Sequence, residues 1–428
     1  MVSRFKRGQK DRGLRTESSR YSYIHSPIFS TMNFLTFTDP EQTTVDPQWL
    51  AGKMNMPVAS VSISTDKKMG GLSAEIKFLD VVLEDGKTLR VIVKAGNATG
   101  QRAKLGLARE ALFYNELSQQ LVDANIPLSY FAEGTMETGE MFALLEAVED
   151  CVPAGTFFGS GNPNNWGVKD KMDELCAGNP TAVEITTQAF QLFARLHGRY
   201  WKDDTLKDKT WLRAVDWMNG QNEEAWQEAQ SMQSTGWSNI KEQIASGTAT
   251  IEWDPHLVAC LDVTFGKVAA ESAFETYHAR LSSNAFTLVQ GDCHPHNLLW
   301  SKQRTEEACL RVIDFEMVGV GPPGQELGQF VISHMAPDIR RLCEKDILQA
   351  YYDELQRVLR SRGMDSEADS YTMEHLMSEY VSGGVGRWAW FIPFFARSPP
   401  MAQYFHDQLA AFLKDHVKDP NDSPMPRV

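Results

Sequence analysis

The sequence predicts an α+β protein: a small antiparallel-sheet portion with one helix, followed by a larger, mainly helical portion. Segments of period-two hydrophobicity crowd between residues 57 and 150, and apolar residues at helical spacing dominate afterwards. Between them, residues 151–169 are rich in Gly, Pro and Asn, as a crossover would be.

Order is expected to begin near Pro57, where "VASVSIS" alternates Val61 and Ile63 with serines. Ala74, Ile76 and Phe78 alternate with polar residues, and the pair Asp85-Gly86 turns the chain into "KTLRVIVK", so the two segments read as a hairpin whose second strand closes on Lys94. Residues 105–121 place Leu105, Ala108 and Leu112 on one helical face, with Glu110 inside the helix. Two strands flank Thr138-Gly139, the second being "MFALLEAVE". Beyond the crossover, Ile185, Ala189, Phe193, Leu196 and Tyr200 recur as on a buried helix, where His197 is expected as a hydrogen-bonded core histidine rather than a ligand. "FTLVQGD" and "CLRVIDFE" read as short strands, and helices are expected to fill the remainder.

The formal charge of −14 argues against a nucleic-acid surface, which needs a basic face. The six cysteines include no C-x-x-C pair, and no apolar run approaches the ~20 residues of a membrane span. A soluble, cytoplasmic protein is the expectation. The start differs: Arg4, Lys6, Arg7, Lys10, Arg12, Arg15 and Arg20 stand against only Asp11 and Glu17, with serines interleaved. A solvated tail, an organelle transit peptide and a true start at Met32 all fit that composition.

The stretch "GDCHPHNLLW", residues 291–300, carries the chemistry. Cys293, His294 and His296 are zinc-competent types, but a structural site needs four ligands in a tetrahedron, and no other Cys or His cluster in the sequence supplies the missing ones. Distant residues make better sense of it. Asp292 is followed five positions on by Asn297, and Asp314 closes the strand in "VIDFE". This is the spacing of phosphoryl transfer, in which an aspartate orients the attacking hydroxyl and an asparagine and a second aspartate hold magnesium on the nucleotide phosphates. Hard Mg²⁺ takes such oxygen ligands. Upstream, Lys94 ends a strand and Glu110 lies on the next helix, the order of the ion pair that sets a lysine against the α- and β-phosphates.

With "VIVK", "REALFYNEL", "LARLHGRYW", "GDCHPHNLLW" and "VIDFE" in this order over most of residues 57–400, the chain resembles the aminoglycoside phosphotransferase and choline-kinase-like superfamily, which includes ecdysteroid-kinase-like proteins. The resemblance implies a protein-kinase-like two-lobed fold, with a basic tail at 1–45, a nucleotide-binding lobe at 46–150, a catalytic and acceptor-binding lobe at 151–415 and a polar tail at 416–428. It carries family roles to Lys94, Glu110, Asp292, Asn297 and Asp314, gives ATP and Mg²⁺ as cofactors, and makes His294 a structural histidine of the loop. Gly70 and Gly71 fall in the nucleotide-covering turn. Two departures stand out: Gln290 replaces the histidine usual before Gly-Asp, and Glu326-Leu327 stands for the family's later Asp-Leu, where a structural hydrogen bond is expected to survive.

"GVGPPG", residues 319–324, satisfies G-x-G-x-x-G, but its two prolines point to a rigid loop rather than a dinucleotide fingerprint. The aromatic run "RWAWFIPFF", residues 387–395, reads as helix core, and the tryptophan-rich region after residue 200 as the roof of an acceptor pocket. From Met317 to Phe330 there is no Ser, Thr or Tyr, and no A-P-E follows, unlike a protein kinase's activation segment. The expected activity is ATP-dependent phosphorylation of a hydroxyl on a small molecule. The alternative is a catalytically silent nucleotide-binding or scaffold protein, for which an intact Asp292 would serve no chemical purpose.

Overall fold

The structure, a computed structural model, describes residues 44–64, 74–121, 124–177, 180–213, 223–283, 285–301, 309–395 and 398–425. The basic segment, Met32, Gly70 and Gly71 lie outside the described residues. Order starts earlier than Pro57, at helix α1 (Pro47–Met54), where the Asp46 carboxylate accepts from the Gln48 N–H at 2.9 Å and Pro47 occupies the first turn.

Strands β1 (Val58–Ile63), β2 (Glu75–Leu83) and β3 (Thr88–Gly96) follow, then helices α2 (Gly100–Leu105) and α3 (Arg109–Glu116), then β4 (Ser129–Thr135) and β5 (Glu140–Glu146). They build a five-stranded antiparallel sheet in the order β1-β2-β3-β5-β4. The β2–β3 turn is one residue longer than the sequence suggested. The Leu83 N–H donates to the Lys87 carbonyl at 2.8 Å, so Glu84, Asp85 and Gly86 form the loop. Side chains of β3 alternate between sheet faces. Val91, Val93 and Ala95 pack with Leu50 and Met54 of α1, which sends Lys94 to the opposite face, toward α3. The helix expected over 105–121 is shorter, α3 alone, and a separate helix α2 precedes it, because Gly106 takes a left-handed φ of +68° that ends α2. Leu105 is consequently exposed, and the buried face of α3 is Ala111, Phe113 and Tyr114, with Glu110.

The chain then runs through β6 (Cys151–Pro153), α4 (Met172–Cys176), α5 (Ala182–Arg199), α6 (Glu223–Ser246), α7 (Pro255–Val268) and α8 (Ala273–Ser283). A capping box between Thr181 and Glu184 starts α5, whose Ile185, Ala189, Phe193 and Leu196 are buried as their spacing predicts. Next come β7 (Thr287–Val289), β8 (Leu298–Ser301), β9 (Leu310–Val312) and β10 (Gly319–Gly321), then α9 (Gly324–His334), α10 (Pro337–Ser361), α11 (Asp365–Ser370), α12 (Met373–Phe395) and α13 (Pro399–His416). Strands β7 and β10 pair, as do β6, β8 and β9, and these two small sheets carry the 291–297 loop and the turn after β9.

Every residue of α9 is buried. It can lie that deep because it meets α12 glycine to glycine: a Cβ on Gly328 would fall 2.2 Å from the Tyr380 carbonyl and 2.8 Å from the Gly384 Cα. No helix among the described residues is long and apolar enough to cross a membrane.

Candidate active site

The site is built from five separated segments that the sheets bring together. Lys94 leaves β3 and meets Glu110 of α3 at 2.6 Å, Asp314 beyond β9 at 2.9 Å and Glu316 at 3.1 Å. Glu110, Asp314 and Glu316 would alone form a carboxylate cluster fit for a cation. The Lys94 ammonium already occupies that role. Burial opposes charge on the lysine, but the three carboxylates together hold its pKa well above the usual value. Burial pushes Glu110 up to about 7, against the pull of Lys94. Glu316, which the sequence reading passed over, is fixed from behind by Arg109, whose guanidinium donates to the Trp211 carbonyl at 2.7 Å and the Glu316 carbonyl at 3.0 Å.

Asp314 adopts φ +64°, a left-handed conformation that costs a non-glycine residue about 1–3 kcal/mol. Gln290 helps to hold it there. The Gln290 Nε2 donates to the carbonyls of Ile313 at 3.2 Å and Asp314 at 2.5 Å, while its Oε1 accepts from the Asp292 N–H at 2.9 Å. The residue that departs from the family pattern is thus the tie between the Asp292 loop and the Asp314 turn. Gly291, at φ +85°, lets that loop pass the Met317 carbonyl, from which a Cβ would stand only 1.8 Å.

Asp292 is surrounded by donors. Asn297 Nδ2 bonds its carbonyl at 2.9 Å, Gln329 Nε2 lies 3.4 Å and Arg387 Nη2 3.2 Å from Oδ1, and His294 Nε2 lies 3.6 Å from Oδ2. Burial alone would raise the Asp292 carboxyl, yet His294 and Arg387 outweigh it and hold the group well below the usual carboxylate range. The carboxylate is therefore ionised and aimed. Arg387 comes from the run read as helix core: Trp388, Ala389 and Ile392 are core residues, but Arg387 turns to Asp292 with its guanidinium 4.3 Å from the centre of the Phe391 ring. A lone arginine in an apolar helical run was the available signal. Replacing it by glutamine should lower kcat with little change in nucleotide affinity, because the cation that orients the ionised Asp292 carboxylate is gone. Steady-state kinetics at saturating ATP measures this, and an unchanged kcat would show that Arg387 only packs.

Glu326 keeps the structural bond expected of it. Its carboxylate accepts from the Gln290 N–H at 3.0 Å and the Gly291 N–H at 2.7 Å, and meets His197 Nε2 at 2.9 Å. His197 is wholly buried and also bonded to the Tyr351 hydroxyl at 2.9 Å, a core histidine as read. His294 shapes its loop by accepting from the His296 N–H at 3.2 Å. His334 of α9 joins His294 and His296, its Nε2 lying 2.8 Å from His296 Nδ1, so the histidines of the loop have a remote partner that sequence proximity could not show, although a four-ligand set with Cys293 is not formed.

"GVGPPG" is not a loop either. Its first three residues are β10, and α9 begins at Gly324, whose N–H donates to Glu379 at 3.2 Å, so α12 covers the helix start where a dinucleotide phosphate would sit. Of the tryptophans after residue 200, Trp201, Trp226 and Trp237 are buried against Tyr371, Phe274 and Phe265 as core, Trp211 and Trp253 border surface cavities, and Trp217 lies outside the described residues.

Asn297 and Asp314 carry oxygen donors of the kind a hard divalent ion takes. Asn297 commits its Nδ2 to Asp292, so its amide oxygen is the atom that could serve a cation, and Asp314 uses Oδ1 for Lys94 while its side chain remains 38% exposed.

Residues 232–404 match the family model DUF1679, described as "Uncharacterized oxidoreductase dhs-27". No curated protein matches the chain. Among solved structures, wild-type aminoglycoside 2'-phosphotransferase-IIIa with GDP is similar at 10% identity and a TM-score of 0.45, over 87% of this chain and 99% of that one. Macrolide 2'-phosphotransferase MphH from Brachybacterium faecium is similar at 13% identity and a TM-score of 0.39, over 85% and 95%. Ethanolamine kinase from Plasmodium vivax is similar at 11% identity and a TM-score of 0.40, over 83% and 81%.

Proposed function

We propose that this chain is a small-molecule kinase that transfers the γ-phosphoryl group of ATP to a hydroxyl of a metabolite. The observation that carries the reading is the convergence of Lys94, Glu110 and Asp314 in one ion-paired cluster, joined through Gln290 to the loop bearing Asp292 and Asn297. Lys94 would hold the α- and β-phosphates, with Glu110 and Glu316 as ion-pair partners that steady its ammonium. Asn297 and Asp314 would hold Mg²⁺, which when bound neutralises charge developing on the phosphates. Asp292 accepts the hydrogen bond of the incoming hydroxyl, aims its oxygen at the γ-phosphorus and takes its proton as the new P–O bond forms and ADP departs. A carboxylate held this acidic aims better than it abstracts. That suits a loose transition state, in which little proton transfer precedes bond making.

The acceptor is small because the segment after Asp314 offers a peptide nothing to dock on. Gly319–Gly321 is tied into β7, and residues 321–335 are buried without a break. The oxidoreductase wording of the family description has no support from "GVGPPG", whose helix start is covered by α12. In a lysate given labelled ATP, label should enter the small-molecule fraction in proportion to active enzyme, and disappear with Asp292→Asn. Mass spectrometry of the labelled fraction would identify the acceptor. Asp292-dependent label in protein with none in metabolites would make this a protein kinase, and nucleotide binding with no transfer at all would make it the silent alternative.

A further inference from the structure

His296 and His334 have no assigned part in phosphoryl transfer, yet they meet His294 of the catalytic loop. One ring nitrogen from each lies within 4.8 Å of the others, and the closest pair, His296 Nδ1 and His334 Nε2, is 2.8 Å apart. Ligand atoms ~2.0–2.1 Å from a tetrahedral metal must stand ~3.3 Å from one another, a separation that these distances bracket.

We propose that these three imidazoles form a binding site for a borderline transition-metal ion of the Zn²⁺ class, distinct from the oxygen-lined magnesium position at Asn297 and Asp314. Three features of the surroundings fit such a site. One ring is held from outside the cluster: His334 Nδ1 pairs with the Ser333 hydroxyl at 2.9 Å, the kind of outer contact that fixes a ligating histidine's orientation. The His296 ring lies against bare backbone at Gly155, where a Cβ would fall 1.9 Å from Nδ1, so that glycine is what admits the ring to the cluster. Access exists on one side, because His334 is buried while His294 and His296 are only partly so. Donor type separates the two sites chemically. Imidazoles favour Zn²⁺ or Co²⁺, whereas amide and carboxylate oxygens favour Mg²⁺. Three protein ligands leave a fourth corner open, as in metal centres that hold a water or an exchangeable group.

The cluster also touches the catalytic loop. His294 Nε2 stands 3.6 Å from Asp292 Oδ2, so an ion held by these rings brings positive charge to the edge of the aiming carboxylate.

The test is a Co²⁺ titration of the full chain in a large excess of Mg²⁺, which fills the oxygen site, followed by visible absorption. One equivalent should bind with the strong d–d bands of tetrahedral cobalt. His334→Gln and His296→Gln should each weaken binding by at least ~10-fold, with circular dichroism confirming that each variant is folded. Absence of a tetrahedral band in the wild-type chain would overturn the proposal, as would a band that survives both substitutions. Because the readout is the cobalt spectrum and not phosphoryl transfer, it stands or falls independently of the kinase reading.

Discussion

Asp292→Asn is expected to slow phosphoryl transfer by ~10²–10⁴-fold while leaving Mg·ATP affinity nearly unchanged. The substitution is close to isosteric. Its amide oxygen still accepts from Arg387 and Gln329, so the buried guanidinium is not stranded, but the group no longer takes a proton from the acceptor or carries the charge that aims it. Asp314→Ala should behave in the opposite way. It removes the proposed magnesium ligand and one of three carboxylates on Lys94, so calorimetric titration should show a clear loss of Mg·ATP affinity. Equal loss of nucleotide affinity in both variants would mean that the two roles are misassigned, and undiminished turnover in Asp292→Asn would remove Asp292 from the chemistry.

The second large effect is on stability. Glu326→Ala takes a shared acceptor away from the Gln290 and Gly291 N–H groups and from His197, all of them buried. Each orphaned buried donor costs about 1–3 kcal/mol, and the two backbone N–H groups alone lose their acceptor together. A loss of ~3–5 kcal/mol is a large share of a stability that is typically about 5–15 kcal/mol. Urea unfolding should show a lower midpoint at similar slope. Glu326→Gln, which keeps one acceptor oxygen, should lose less. A midpoint shift worth under ~1 kcal/mol in the alanine variant would show that water replaces the carboxylate without penalty.

Legibility followed sequence distance. Asp292, Asn297 and Asp314 could be read because a loop and the next hairpin keep their spacing, and Lys94 and Glu110 because a strand end and the following helix keep their order. Their neighbours came from elsewhere: Gln329 and Arg387 reach Asp292 from helices 37 and 95 residues further along, and no local period encodes that meeting. His334 was hidden for the same reason. Glu316 was not hidden by distance, since it sits two residues from Asp314. It was missed because a carboxylate beside a strand end is ordinarily solvated, and only the fold turns this one onto Lys94. The split between α2 and α3 was written in Gly106, whose weight as a helix stop was masked by apolar residues on both sides.

Helix α9 carries Glu326, Gln329 and His334 on one side, and each touches the stretch 290–296: two backbone amides, the Asp292 carboxylate and the His296 ring. The three contacts spread over an arc of about 140° around the helix and depend on its phase being kept. A single inserted residue turns everything beyond it by about 100° and advances it by about 1.5 Å, which would uncouple whichever contacts lie downstream while leaving every side chain intact. Over residues 324–334 the chain should accordingly tolerate exchange of one apolar side chain for another far better than any gain or loss of length. At this helix, length is the more tightly constrained variable.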